Sequence, residues 1–353
     1  MVSEVTLRDF RSYPALDLEL RPGIVLAVGP NGAGKTNLLE ALHVGTQGFS
    51  PRTRTDAQLV RFGCDAARIS LHGRRGHAPV DVDVTLRPGD AKQARLNGAP
   101  LRAAEQLRTS LATLVFTPDR LVVVKGGPSA RRAYFDRTAG RLFPARAALP
   151  AEYAAAVAQR NAALRRTAIG ASTQEALRPW TQRVVDLGAE LVELRTVVVH
   201  ELAPLFAAQA AALGFDDAEL RYEGEPPELP AFEARLAEDL ERGTTGLGPH
   251  LHDFGITAGG RELRRFGSQG EQRLAVLSLI LTEAELLAAR GPAAPLLLLD
   301  DVLSELDERR RRTLAERIEA GTQALVTSTS ASALPAEPAQ LVEVAPGTAR
   351  SAP

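Results

Sequence analysis

The chain has 353 residues, 44% of them hydrophobic, enough for a sizeable buried core in one large domain or two ordinary ones. Its formal net charge of −1 excludes a protein that coats nucleic acid by bulk electrostatics, so any contact with DNA has to come from local clustering. The opening MVSEVTLRDFRSYPALDLEL lacks the pattern of a secretion signal, no run of apolar residues is long enough to span a membrane, and the lone Cys64 can form no intrachain disulfide, so a cytoplasmic protein with no membrane partner is expected.

In chain order, Val5 and Leu7, then Leu16, Leu18 and Leu20, alternate as two half-exposed strands, and Ile24 to Val28 reads as a buried strand. A glycine-rich turn and a helix from about Lys35 follow. Val80, Val82, Val84 and Leu86 alternate as another strand, closed by a Pro88-Gly89 turn. From about Pro128 to Glu241 the pattern turns helical, broken at Pro144, Pro150, Gly170, Pro179 and Pro204. A helix from about Gly270 to Arg290, a strand at Leu296 to Asp300, a helix after Asp307 and a strand at Ala324 to Thr327 complete an α/β ending. The expected organisation is a head contributed by residues 1–127 and 243–346, an inserted helical lobe at 128–242, and a frayed tail at 347–353.

Gly29-Pro30-Asn31-Gly32-Ala33-Gly34-Lys35-Thr36 matches the phosphate-binding loop pattern G-x-x-x-x-G-K-[ST] and lies between a predicted strand and a predicted helix, where that mechanism needs it. Glycines let backbone N–H groups curl around phosphates, Lys35 reaches the outer phosphates, and the Thr36 hydroxyl is placed for Mg²⁺. ATP and Mg²⁺ are therefore the expected ligands. Leu296 to Leu299 is an apolar strand ending in Asp300 and Asp301; Asp300 is the candidate metal ligand and Asp301 the candidate general base or water positioner.

Between these elements stands Phe266-Gly267-Ser268-Gln269-Gly270-Glu271-Gln272-Arg273 at the start of a long apolar-periodic helix. Ser268 can cap that helix and Gly270 frees its first turn, which suffices for an ordinary helix start. Taken in order with the other two motifs, Ser268, Gln269 and Gly270 resemble the signature of ABC-type ATPases, which contacts nucleotide held by a partner subunit. Ser304-Glu305-Leu306-Asp307 is similar to the D-loop of those proteins and equally reads as a helix cap.

Two classes of ABC-type protein compete: a transporter's cytoplasmic ATPase subunit and a DNA-repair ATPase. A transporter subunit is compact and carries a histidine after its last core strand, whereas Leu325-Val326-Thr327-Ser328-Thr329 has none; coiled-coil SMC proteins need a far longer insertion. The chain resembles the RecF family over nearly its whole length. The resemblance is carried by Leu7-Arg8-Asp9-Phe10-Arg11-Ser12-Tyr13, by Gly32 through Lys35, Thr36, Asn37 and on to Glu40-Ala41, by Ser50-Pro51-Arg52-Thr53, by Phe116-Thr117-Pro118-Asp119, by Lys125 to Ser129 with Arg131-Arg132, and by Gly248-Pro249-His250. Leu251-His252-Asp253 departs from the family's Arg-Asp-Asp, and Glu271 stands where glutamine is common.

The resemblance implies an ABC-type P-loop ATPase head with mixed sheets and an inserted helical lobe. It also implies nucleotide contacts from Gly29 to Asn37, an ATP-dependent homodimer in which Ser268, Gln269 and Gly270 reach the partner's nucleotide, slow hydrolysis acting as a switch, and a role in DNA repair, replication restart and the SOS response. RecR and RecO as partners, and loading of a RecA-type recombinase at gaps, are implied in the same way. For DNA itself, Arg120, Lys125, Arg131, Arg132, Arg137, Arg141 and Arg146 form the richest local basic cluster, opposed in that span by Asp119 and Asp136. Phosphate contact and intramolecular ion pairing both remain open for it. For Arg11 and Ser12, nucleotide contact and a solvated strand edge are equally open.

Overall fold

The computed structural model describes residues 1–352 apart from Ser110, Pro292, Ala320 and Gly321, and apart from the side chains of Glu105, Thr109, Pro118, Asp119, Glu305 and Glu319. The chain forms two compact units: residues 1–120, 212–214 and 276–353, and residues 121–211 and 215–275.

In the first unit, β1 (Val2–Phe10) and β2 (Tyr13–Glu19) pair antiparallel with Val5 opposite Leu18 and Leu7 opposite Leu16, which puts the alternating apolar residues on one buried face. β3 (Ile24–Val28) is buried over its first four residues, and α1 (Lys35–Gln47) follows the glycine-rich turn. β4 (Ala67–Arg75), β5 (Ala78–Leu86), β6 (Gln93–Leu96) and β7 (Ala99–Pro100) extend the first hairpin into a six-stranded antiparallel sheet ordered β2-β1-β4-β5-β6-β7.

β8 (Thr113–Phe116) belongs to the unit's second sheet, and the chain then enters the second unit through α2 (Val122–Lys125) and α3 (Pro128–Leu142). There α4 (Leu149–Ala168) and α5 (Arg178–Ala212) form a long hairpin, with Pro150 in the first turn of α4, where its missing N–H costs nothing. The predicted break at Pro204 does not occur: α5 runs through it, with Leu202 and Phe206 on either side buried. β9 (Ala218–Glu223), α6 (Leu229–Ala234), α7 (Leu236–Arg242), β10 (Asp253–Ala258), β11 (Arg261–Glu262) and α8 (Leu263–Phe266) follow. β9, β10 and β11 make a three-stranded antiparallel sheet, so the section expected as a helical lobe at 128–242 carries strand β9, and the second unit runs on to residue 275. β10 and β11 form a tight hairpin, but β9 and β10 pair across thirty residues or more, beyond the reach of any local pattern.

The division between units falls within α9 (Gln269–Arg290), at Val276. β12 (Leu296–Leu299), α10 (Glu308–Glu319), β13 (Ala324–Ser328), β14 (Gln340–Ala345) and β15 (Thr348–Ser351) return to the first unit and complete a second six-stranded sheet, ordered β15-β14-β3-β13-β12-β8 and parallel except for its β14-β15 hairpin. The expected frayed tail is thus a paired strand at 348–351, with Ala349 buried. Helix α1 contacts strands of both sheets, and eleven of its residues are buried. Two buried glutamines stitch the sheets at their margins: Gln323 exchanges hydrogen bonds with the Val2 backbone at 2.6 and 2.7 Å, and Gln340 bridges Glu19 O and Arg21 N. Among the described residues no helix is long and apolar enough to cross a membrane.

A candidate nucleotide site at the phosphate loop

The loop between β3 and α1 is shaped by what its glycines leave out. Gly34 takes φ 111°, a left-handed conformation, and a Cβ there would stand 2.9 Å from Ser12 Oγ and 3.2 Å from the Tyr13 hydroxyl. A Cβ on Gly29 would meet Val344 O at 2.2 Å. The backbone can therefore pass close to both β2 and β14 only without side chains. Tyr13 donates its hydroxyl to Gly34 O at 3.0 Å, pinning the turn from the buried side. Pro30, Asn31 and Gly32 form the exposed crest, Ala33 is 1% exposed, and Gly32 is in the left-handed region at φ 80°.

Lys35 folds back over the loop and donates to Gly29 O at 2.6 Å and Pro30 O at 3.0 Å. Burial lowers its pKa, while Asp301 and Asp300 oppose that shift, which places both carboxylates within electrostatic reach of the ammonium. Thr36 donates to both oxygens of Asp300, at 3.0 and 3.1 Å, joining residues 264 positions apart. Asp300 also accepts from Thr327 Oγ1 at 2.7 Å, and burial raises its pKa. Asp301 adopts φ 50°, uncommon for a residue with a side chain; its N–H donates to Thr327 Oγ1 at 2.9 Å and its carbonyl accepts from Ser304 Oγ at 3.0 Å. The strained backbone turns the Asp301 side chain out into solvent beside the buried Asp300. Thr327 is a site residue that sequence reasoning passed over. Its signal was a hydroxyl near the end of the strand adjacent to the acidic one.

Glu40 was also missed as a structural centre. It is fully buried on α1, yet it accepts Arg11 Nε and Nη2 at 2.9 Å each, Ser50 Oγ at 2.5 Å and Arg52 Nη1 at 3.3 Å. Arg11 is therefore neither a solvated strand edge nor a free cation. Asn37 donates to Ser12 Oγ at 2.9 Å and accepts from Arg52 at 3.3 Å, so the first hairpin, α1 and the loop at Ser50 are tied together beside the phosphate loop.

In the second unit, Ser268, Gln269 and Gly270 are exposed at the start of α9. Ser268 and Glu271 form a reciprocal cap, with Ser268 N–H donating to the Glu271 carboxylate at 2.7 Å and Glu271 N–H to Ser268 Oγ at 3.2 Å. The glutamate that departs from the family pattern thus serves the helix start. Asp307 likewise caps α10 through Arg310 N at 2.9 Å; the Glu305 side chain lies outside the described residues.

The basic cluster divides. Arg131 is 3% exposed, donates to Asp253 at 2.8 Å and to Gly126 O at 2.8 Å, and is thereby withdrawn from any DNA surface. Arg132 donates to His252 O at 2.7 Å, and Arg146 pairs with Glu193 at 3.2 Å. Lys125 and Arg137 are exposed and Arg120 is half-buried; the Asp119 side chain lies outside the described residues. Abundant arginine met abundant carboxylate in the folded lobe, which the linear charge count could not show. Around Gly248-Pro249-His250, a Cβ on Gly248 would meet the Tyr153 hydroxyl at 2.4 Å. His250 Nε2 faces Thr245 O at 3.0 Å and so carries the hydrogen, leaving Nδ1, 2.8 Å from the Tyr153 hydroxyl, to accept; burial lowers its pKa in keeping with the neutral ring. Of the two departing residues, His252 Nδ1 lies 2.9 Å from the Tyr222 hydroxyl, and Leu251 is 56% exposed.

A glycine-shaped loop after a buried strand, a lysine folded over it, and a hydroxyl meeting a strand-end carboxylate define a phosphate-loop ATPase head. Residues 1–349 match the family model described as the RecF/RecN/SMC N-terminal domain. The chain is 38% identical over 363 residues to the DNA replication and repair protein RecF of Frankia alni, covering 95% of each chain, and 38% identical over 350 residues to that of Acidothermus cellulolyticus, covering 93% of each. A solved recombination mediator protein RecF with ATP, of the RecFOR pathway, superimposes with a TM-score of 0.88 at 25% identity, over 100% of this chain and 97% of that one. An SMC head bound to the C-terminal winged-helix domain of ScpA shares the fold at TM-score 0.62 and 16% identity. The chain belongs to the RecF family of DNA replication and repair proteins.

Proposed function

We propose that the protein is an ATP-switched, DNA-binding recombination mediator that dimerises on ATP. The observation that carries this reading is the meeting of Thr36 and Asp300 at 3.0 Å, with Lys35 folded over the same loop. The donor set fits a divalent cation: a hydroxyl and a carboxylate, both hard oxygen ligands, already converge, and Mg²⁺ held by them would offset phosphate charge. Lys35 exchanges its two carbonyl partners for phosphate oxygens, and the loop N–H groups with the α1 N-terminus bind the remaining charge. Asp301, exposed and held in a fixed backbone geometry by Thr327, is placed to orient an attacking water and accept its proton. An aspartate in that position, shorter than a glutamate, favours slow turnover suited to a timer.

Ser268, Gln269 and Gly270 present a capped helix start to solvent, a surface suited to the phosphates of nucleotide on a second copy. ATP then joins two heads by mass action and hydrolysis parts them. RecR and RecO as partners, and recombinase loading at DNA gaps, rest on family membership, as does a cytoplasmic location.

Light scattering with and without ATP and Mg²⁺ tests the switch. A doubling of mass in ATP, lost in Ser268→Arg and in Lys35→Arg, is the expected result; the guanidinium does not fit a site built for a compact ammonium. A wild-type protein that stays monomeric in ATP, or a Lys35→Arg variant that dimerises normally, sinks the reading.

A further inference from the structure

Two groups stand at the extremes among the arginines of the second unit. Arg131, Arg160 and Arg195 are at most 3% exposed and each is bound to a carboxylate. The second group stands at the end of the α4–α5 hairpin. The register there is fixed by two contacts: Arg160 Nε donates to Thr181 Oγ1 at 3.1 Å, and the position of a Cβ on Gly188 is 3.3 Å from the Tyr153 ring, so the helices run antiparallel. Leu164 and Leu177, both buried, close the apolar seam near the turn.

Between Tyr153 and Val185 the sequence carries five arginines and a single acid, Glu175. Arg160 is consumed in the interior and Arg165 leans on Gly243 O at 3.3 Å. Arg166, Arg178 and Arg183 are exposed, and none has a side-chain hydrogen bond or ion pair among the described residues. In the observed register they occupy successive levels spanning about 12 Å of the hairpin axis, at a rise of 1.5 Å per residue. Two apolar side chains are exposed at the same end: Ile169 at 80% and Trp180 at 38%. Trp180 and Arg183, three apart on α5, are surface neighbours. Arg178 is the first residue of α5, a 35-residue helix whose N-terminus adds partial positive charge.

Unpaired guanidinium groups fit phosphate oxygens, and an exposed indole beside Arg183 offers a stacking face that only an unpaired base can use. Duplex DNA would satisfy the arginines and leave the indole idle; an acidic protein would not require it. We propose that the end of the α4–α5 hairpin is a contact for single-stranded DNA, with Arg166 and Arg183 on phosphates and Trp180 stacked on a base. The proposal deepens, and rests on, the DNA-binding part of the function proposed above.

Trp180 is the chain's only tryptophan, so its fluorescence reports on this surface alone. In the full-length protein, oligothymidine is expected to quench it. Arg166→Ala combined with Arg183→Ala is expected to flatten the log–log salt dependence of binding by about 1.4, at about 0.7 per lost phosphate contact on a single strand. By anisotropy of a labelled oligothymidine, Trp180→Ala weakens binding about fivefold to a hundredfold and Trp180→Phe restores most of it. ATP affinity stays at the wild-type value in all three variants, which separates a failure here from a failure of the nucleotide site. Unchanged fluorescence on a bound oligonucleotide, or an unchanged salt slope in the double variant, overturns the proposal. Equal quenching by a duplex of the same length overturns it in favour of duplex DNA, and quenching by polyglutamate alone in favour of an acidic protein.

Discussion

The phosphate loop of the first unit and the polar interior of the second are both dense in charged groups, yet they keep their partners on different terms. At the loop, Lys35 rests on two backbone carbonyls and Thr36 on one carboxylate, contacts that an anion and a cation can replace without exposing a buried charge. In the second unit, Arg160 is fully buried over the Phe232 ring at 4.8 Å and bound to Asp239 at 2.7 Å and Thr245 at 2.9 Å. Nothing from solution can substitute there. Exchangeable partners mark a binding site, whereas committed ones mark a structural pin, and arginine content alone does not distinguish them.

The largest effect that could break this comparison is Arg160→Ala. Leaving buried Asp239 with only the longer 3.4 Å pair to Arg235 is expected to destabilise the second unit by about 3 kcal/mol, read as an earlier urea midpoint in far-UV circular dichroism, while the exposed Arg166→Ala stays within about 0.5 kcal/mol of wild type. A midpoint unmoved by Arg160→Ala would show that the pin carries no weight. Next in size, Glu40→Gln should cost about 2 kcal/mol, because two arginines lose charge-assisted bonds to a buried carboxylate. Since Glu40 ties Arg11, Ser50 and Arg52 beside the loop, its calorimetric transition should rise less in ATP than that of wild type, whereas a variant changed far from the loop should gain the full wild-type increment.

Smaller in energy but sharper in kind is the contrast of Lys125→Ala with Arg131→Ala. Losing the exposed lysine is expected to lower the salt slope of duplex binding by about 0.9 and leave stability alone, whereas losing the buried arginine is expected to lower stability and leave the slope alone. The smallest expected effect is on pH dependence. Burial lowers the pKa of His250 and of His252, with Arg195 and Arg132 adding to the depression at His252. A histidine whose folded pKa lies below its unfolded value gives stability that is complete above about pH 6.5 and is lost as pH falls through the folded value. Melting temperature should therefore drop between pH 7 and pH 5, and a variant with asparagine at both positions should flatten that drop.

The sequence alone made the candidate nucleotide site legible because its chemistry is local. Glycine spacing, the Lys35-Thr36 pair and the apolar strand ending in Asp300-Asp301 each state their requirement within a few neighbouring residues, and the structure brings them together as expected. The periodicities of β1 to β3, α1, α9, β12 and β13 were readable for the same reason. Thr327, Glu40 and the pairing of β9 with β10 were not readable, because each depends on a partner far along the chain. The basic cluster misled at Arg131: the carboxylate that neutralises it, Asp253, lies 122 residues away. What the sequence by itself determined is the set of local conformations and the chemical type of the site. Only the tertiary structure decided which charges are spent inside and which, like Arg166, Arg178 and Arg183, remain available, because desolvation and pairing are settled by neighbours in space.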